Sequence, residues 1–110
     1  MKKYFTLLTL LLSFGVSAAK ETSPKDTIKR LIAYSDYGNG DVYIELTRNG
    51  ATCSHGYYID KASAGYESTL SMLLAAYQAN TKILISGYVN NRWAGSSAAV
   101  CEIYSVIYKR

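Results

Sequence analysis

One amphipathic helix, over 63–80, stands between three strand-like segments and two more, and this order constrains the fold more than any other feature of the chain. Tyr66, Leu70, Leu73, Leu74 and Tyr77 recur at helical spacing on one stripe, with Glu67, Ser71 and Gln78 on the other side. A stripe of that width needs a sheet to cover. Ahead of it, 27–37 carries Ile28, Leu31, Ile32 and Tyr34 in imperfect alternation and predicts a long, bent first strand. Gly38-Asn39-Gly40-Asp41 then turns the chain, since glycine and asparagine tolerate positive φ. Val42, Ile44 and Leu46 alternate with Tyr43, Glu45 and Thr47, the pattern of a half-buried second strand. Beyond a turn at Arg48-Asn49-Gly50, 56–60 makes a short third strand around Tyr57, Tyr58 and Ile59. Asp60 or Ser63 is expected to cap the helix and Asn80 to end it. The last two strands are expected over 82–89 and 98–108, with a loop over 90–97 between them.

The order β-β-β-α-β-β predicts a mainly β domain with one helix, a five-stranded OB-fold barrel whose helix plugs one end. Such a fold hosts many functions, so activity must be argued from particular residues.

Met1, Lys2 and Lys3, an apolar run over 4–16, and Ser17-Ala18-Ala19 before Lys20 have the layout of a secretory signal cut after Ala19. The apolar run is shorter than the roughly 20 residues of a membrane span, so membrane insertion is not expected. Domain organisation follows: a signal over 1–19, a polar, flexible arm over 20–26 that holds Pro24, and the folded domain over 27–110. Without Lys2 and Lys3 the 12 basic residues become 10 against 8 acidic, and the net charge falls from +4 to +2. A nearly neutral, exported domain lacks the basic groove with which OB folds hold single strands, so nucleic acid is not an expected partner. The chain has two cysteines, Cys53 and Cys101. In an oxidising compartment they are expected to form one disulfide, closing a loop of about 50 residues at a gain of roughly 4 kcal/mol on a chain-entropy account.

No catalytic constellation is legible. His55, the one histidine, neighbours Cys53, and a cysteine–histidine nucleophilic pair needs that sulfur free. Asp36, Asp41, Glu45 and Asp60 are scattered through turns and strands, where solvated or capping roles are the ordinary reading. No phosphate-cradling glycine loop and no metal-spaced cluster occurs, so no cofactor is expected. The 11 tyrosines suit strands, but they also suit the stacking of sugars. Trp93 is different in kind, because it lies in a polar, small-residue loop, where an indole either fills a pocket of the fold or meets a ligand. Asn91, Arg92, Trp93 and Ser96 are therefore the candidate ligand-binding residues. The expected function is that of a non-catalytic binding module; the alternative is a stand-alone periplasmic protein of structural or regulatory role.

The helix sequence Tyr66-Glu-Ser-Thr-Leu-Ser-Met-Leu-Leu-Ala-Ala-Tyr77, followed by Lys82-Ile-Leu-Ile-Ser-Gly-Tyr88 and Trp93, resembles the B subunits of bacterial AB5 toxins of the pertussis-like and subtilase-cytotoxin type. It is also similar to small exported Gram-negative proteins that share Gly-Tyr-Tyr, the helix, Trp-x-Gly-Ser and a late Cys. The likeness covers 56–108. The signal predicts a periplasmic or secreted location, and the resemblance implies an OB barrel with an internal disulfide, a homopentamer whose helices line a central pore, an enzymatic A subunit as partner, and a face that binds a host glycan. None of that family's sugar-contacting residues maps onto a matching position in this chain.

Overall fold

The computed structural model describes residues 18–110. The expected signal over 1–19 lies outside them except for its last two residues. Six strands and one helix follow in the order β1 (Lys20–Thr22), β2 (Ile28–Ala33), β3 (Val42–Leu46), β4 (Tyr57–Ile59), α1 (Tyr66–Ala79), β5 (Leu84–Arg92) and β6 (Cys101–Ile107). They form one sheet of order β1-β5-β6-β4-β3-β2, in which β4 and β6 run parallel and every other pair is antiparallel. The fold is therefore mainly β with one helix, as expected, but the sheet is open and has six strands instead of five.

The sixth strand is β1, and it corrects the expectation of a flexible arm. Its residues are polar, and nothing in their pattern marks a strand. Their order comes from backbone pairing, with Lys20, Glu21 and Thr22 opposite Tyr88, Gly87 and Ser86. The pairing continues past Pro24 through Ser23, which exchanges hydrogen bonds with Ile85, to an isolated bridge between Asp26 and Ile83. The two edge strands of the sheet are thus consecutive in the chain. The Glu21 carboxylate also accepts hydrogen bonds from the backbone N–H groups of Thr52, at 2.9 and 3.1 Å, and Cys53, at 2.9 Å. It lies so close to Gly50 that a Cβ there would come within 2.3 Å of the carboxylate oxygen. Partial burial pushes the Glu21 pKa up, but the Cys53 and Thr52 donors outweigh it and hold the group below its ordinary value.

A carboxyl whose folded pKa is depressed stabilises the fold above its unfolded value and loses that contribution as pH falls through the folded one. Glu21→Gln should therefore cost about 1–3 kcal/mol at neutral pH. The deficit should shrink on acidification below about pH 4, which urea denaturation followed across pH would measure. An equal deficit at pH 3 and pH 7 would contradict the assigned role.

The core lies between the inner sheet face and α1. Val42, Ile44 and Leu46 of β3, Tyr57 and Ile59 of β4, Ile85 of β5 and Cys101 of β6 are buried there, together with Leu73 and Ala76 of the helix. The helix begins at Gly65, which offers no side-chain cap, so neither Asp60 nor Ser63 caps it. Asp60 instead accepts the Ala62 N–H and shapes the turn before it. Asn80 ends the helix in the left-handed conformation, φ 55°.

The buried stripe is rotated from the expected one. Tyr66, Leu70, Leu73 and Ala76 face the sheet, while Leu74 and Tyr77 are each 46 % exposed. At about 100° per residue these two lie on the flank, beyond the arc a narrow curved sheet can cover. No helix among the described residues is long and apolar enough to cross a membrane. Cys53 and Cys101 are fully buried and joined by the expected disulfide, with Cα atoms 5.6 Å apart.

Candidate functional site

Strand β3 is largely buried on both faces, with Glu45 alone partly exposed. While Val42, Ile44 and Leu46 point into the main core, Tyr43 on the opposite face is also buried, with Tyr58, Trp93 and Val100, in a second apolar cluster outside the sheet. Trp93 is its centre. The indole stacks on Tyr43, with centroids 5.7 Å apart and planes at 14°, and on Tyr58 at 6.2 Å. Tyr34 tilts against it at 5.8 Å, and Tyr37 meets it edge-on at 5.9 Å. Burial in this cluster pushes the Tyr58 phenol up to about 12, helped by the carboxylates of Glu102, Asp60 and Asp41, and raises Tyr43 as well, so both stay protonated and act as packing groups.

Two loops clasp the indole. The turn over Tyr37–Gly40, with Gly38, Asn39 and Gly40 all at positive φ, brings Gly38 against one part of the ring. The loop between β5 and β6 brings Gly95 against another. A Cβ on Gly38 or Gly95 would reach within 2.4 or 2.6 Å of the indole, which explains why glycine stands at both places. The indole N–H donates to the Gly38 carbonyl at 3.2 Å, and the Tyr37 hydroxyl donates to the Gly95 carbonyl, so each loop holds a group of the other. Trp93 is 5 % exposed as a result. Of the two readings open from the sequence, the ring fills a pocket of the fold.

Beside this clasp lies an open cleft of about 270 Å³, lined by Arg30, Tyr34, Tyr37, Tyr43, His55, Trp93, Gly95, Ser96, Ala98 and Val100. Its mouth is aromatic, with Tyr37 56 % exposed and 5.0 Å from Tyr34. Arg30 stands at the rim with its guanidinium 5.6 Å from the Tyr43 ring centroid and its Nε donating to Glu45 at 3.2 Å. The Glu45 bond and then the Tyr43 hydroxyl raise the Arg30 pKa further, so it stays cationic. Tyr43 donates to the His55 carbonyl at 2.6 Å, which fixes the His55 backbone in the wall. The His55 ring pairs with the neighbouring Ser54 hydroxyl. Arginine, histidine and serine thus bring polar side chains to an aromatic-walled recess. No carboxylate lines it. Among the described residues no group of histidine, cysteine, aspartate and glutamate could hold a metal ion.

Of the four candidate residues from the sequence, Trp93 and Ser96 line this cleft and Asn91 and Arg92 do not. Both of the latter lie in β5, which runs three residues further than the periodicity of 82–89 indicates. Asn91 donates to Glu102 across to β6, and the Arg92 Nε turns back to the Val89 carbonyl. Ser96 accepts the Ala98 N–H and shapes its own loop. The sequence reading missed Arg30, Tyr34, Tyr37 and Tyr43. The alternation along β3 was the available signal, since Tyr43 occupies what would be a solvent-facing position with a large aromatic side chain.

Compared with known protein families and with curated proteins, the chain matches none.

Proposed function

We propose that this chain is an exported, non-catalytic binding module whose aromatic cleft takes a glycan. The observation that carries the reading is the cleft itself: the exposed Tyr37 at its mouth, with Tyr34 beside it, next to the polar side chains of Arg30, His55 and Ser96, a combination suited to a ring with an apolar face and a polar rim. The fold supports it at the level of architecture. Taken from β2 onward, three strands, a helix and two strands with parallel β4 and β6 follow an OB-type plan. The bent segment over 20–33 pairs with β5 at one end and β3 at the other, which is how we read the sheet as barrel-like. The buried disulfide fits a periplasmic or secreted location. On the toxin-B-subunit reading, five copies form a ring that carries an enzymatic A subunit, and the exposed Leu74 and Tyr77 on α1 are among the apolar groups left for contacts between copies.

The test is a glycan array of sialylated and neutral sugars, with light scattering on the same sample. Binding is expected, and Tyr37→Ala and Arg30→Ala should each weaken it by about tenfold or more with the far-UV spectrum unchanged. Absence of binding to any glycan would remove the reading. It would leave the stand-alone structural or regulatory role, which the internal satisfaction of the Trp93 N–H favours. A mass of one chain that does not rise with concentration would remove the ring.

A further inference from the structure

The strands β5 and β6 are antiparallel partners, with Arg92 opposite Cys101 at one end and Leu84 opposite Ile107 at the other. The aromatic cleft sits at the first end. At the second end, roughly 20 Å away along the strands, is a separate recess of about 320 Å³, lined by Thr81, Lys82, Tyr108, Lys109 and Arg110. Three of its five lining side chains are cationic and none is acidic.

Two of its lining residues, Thr81 and Tyr108, are tied to α1 by hydrogen bonds. The Tyr108 hydroxyl donates to the Met72 carbonyl, and the Thr81 N–H donates to the Ala76 carbonyl at 2.9 Å, so the helix end, the chain leading to β5 and the end of β6 are tied together. Five carboxylates of the fold have partners outside the recess. Glu21 holds the loop at Thr52 and Cys53, Asp41 and Asp60 accept backbone N–H groups, and Glu45 pairs with Lys29 and Arg30. Asp26, whose carboxylate feels the Lys82 charge, is bonded by Arg48 at 2.7 Å. Among the described residues no ion pair involves Lys82, Lys109 or Arg110.

We infer that this recess is an anion subsite that takes a sulfate ester group of an acidic oligosaccharide. Three cationic side chains around one concavity raise the local potential and favour an ion that can accept hydrogen bonds from several sides. Thr81 and Tyr108 complete the lining. Apart from the Tyr108 ring no large apolar side chain lines the recess, so it offers nothing to insert among acyl chains, and a hydrophilic ester fits it better than an anionic bilayer.

The experiment is a titration of the isotope-labelled full chain with a sulfated heparin oligosaccharide at physiological salt, followed by NMR. Amide shifts are expected at Thr81, Lys82, Tyr108 and Lys109. Lys82→Ala/Lys109→Ala should weaken binding by at least about tenfold. The charge-matched Lys29→Ala/Lys61→Ala should weaken it by less than about threefold, because surface charges outside the recess act only through the screened field. Arg30→Ala should leave it unchanged, which separates this subsite from the aromatic cleft. Absence of shifts at these residues, equal losses in the two double variants, or binding to anionic phospholipid vesicles in preference to the oligosaccharide would each overturn the inference.

Discussion

Trp93→Ala is expected to destabilise the fold by about 3–5 kcal/mol, the range for removing a large buried aromatic. In a domain of this size that corresponds to a fall in Tm of more than about 12 °C. The physical ground is the number of groups that depend on one indole. Tyr43 and Tyr58 lose their stacking partner, Tyr34 and Tyr37 lose a wall, and the Gly38 carbonyl loses its donor. The turn over Tyr37–Gly40 and the loop between β5 and β6 also lose the body they both grip, since Gly38 and Gly95 can approach it only because they carry no side chain. Trp93→Phe should keep part of the stacking and cost less. Thermal and urea denaturation would measure both. A loss below about 1 kcal/mol for the alanine variant would show that the two loops are held without the indole.

The second large effect belongs to the disulfide. Cys53→Ala/Cys101→Ala should lose about 2–5 kcal/mol. Both sulfur-bearing residues are fully buried, and they tie the loop ahead of β4 to the first residue of β6, the two strands that make the one parallel pairing of the sheet. Parallel neighbours are joined only through a long excursion of chain, here through α1 and β5, so closing that excursion covalently removes many of the unfolded chain's conformations. The native protein should also resist reduction until it unfolds, because no reductant reaches a sulfur with no exposed surface. Mass measurement after thiol trapping, with and without denaturant, checks this. Rapid labelling of both cysteines under native, reducing conditions would contradict it.

Much of the framework was legible in the residues. The helical period at Tyr66, Leu70 and Leu73, the left-handed end at Asn80, the alternation of Val42, Ile44 and Leu46, the glycine-rich turn at 38–40 and the cysteine pair all reflect local stereochemistry or a choice with one answer. Each was expected where it is found. The misses share a different character. Lys20–Thr22 became a strand because β5 had an edge to pair and the loop at Thr52 and Cys53 had N–H groups for a carboxylate, neither of which a polar run announces. Leu74 and Tyr77 remained exposed because the width of the sheet, and not the width of the stripe, sets how much of a helix is covered.

For the candidate site the division is sharper. The oddity of Trp93 in a polar loop was readable from sequence, but its meaning was not, because a buried plug and a stacking platform look alike until the neighbours are known. Only the tertiary structure brought Tyr34 and Tyr37 from one side of the first turn, Tyr43 from β3, Tyr58 from β4 and Trp93 from beyond β5 to one place. Local pattern determined which segments from β2 onward form strands and helix, and which face of β3 enters the main core. Contacts between residues up to 59 positions apart, such as Tyr34 with Trp93, decided where a cleft could form. Such contacts depend on how the strands are ordered and bent in space, and no window of sequence around either residue contains that information.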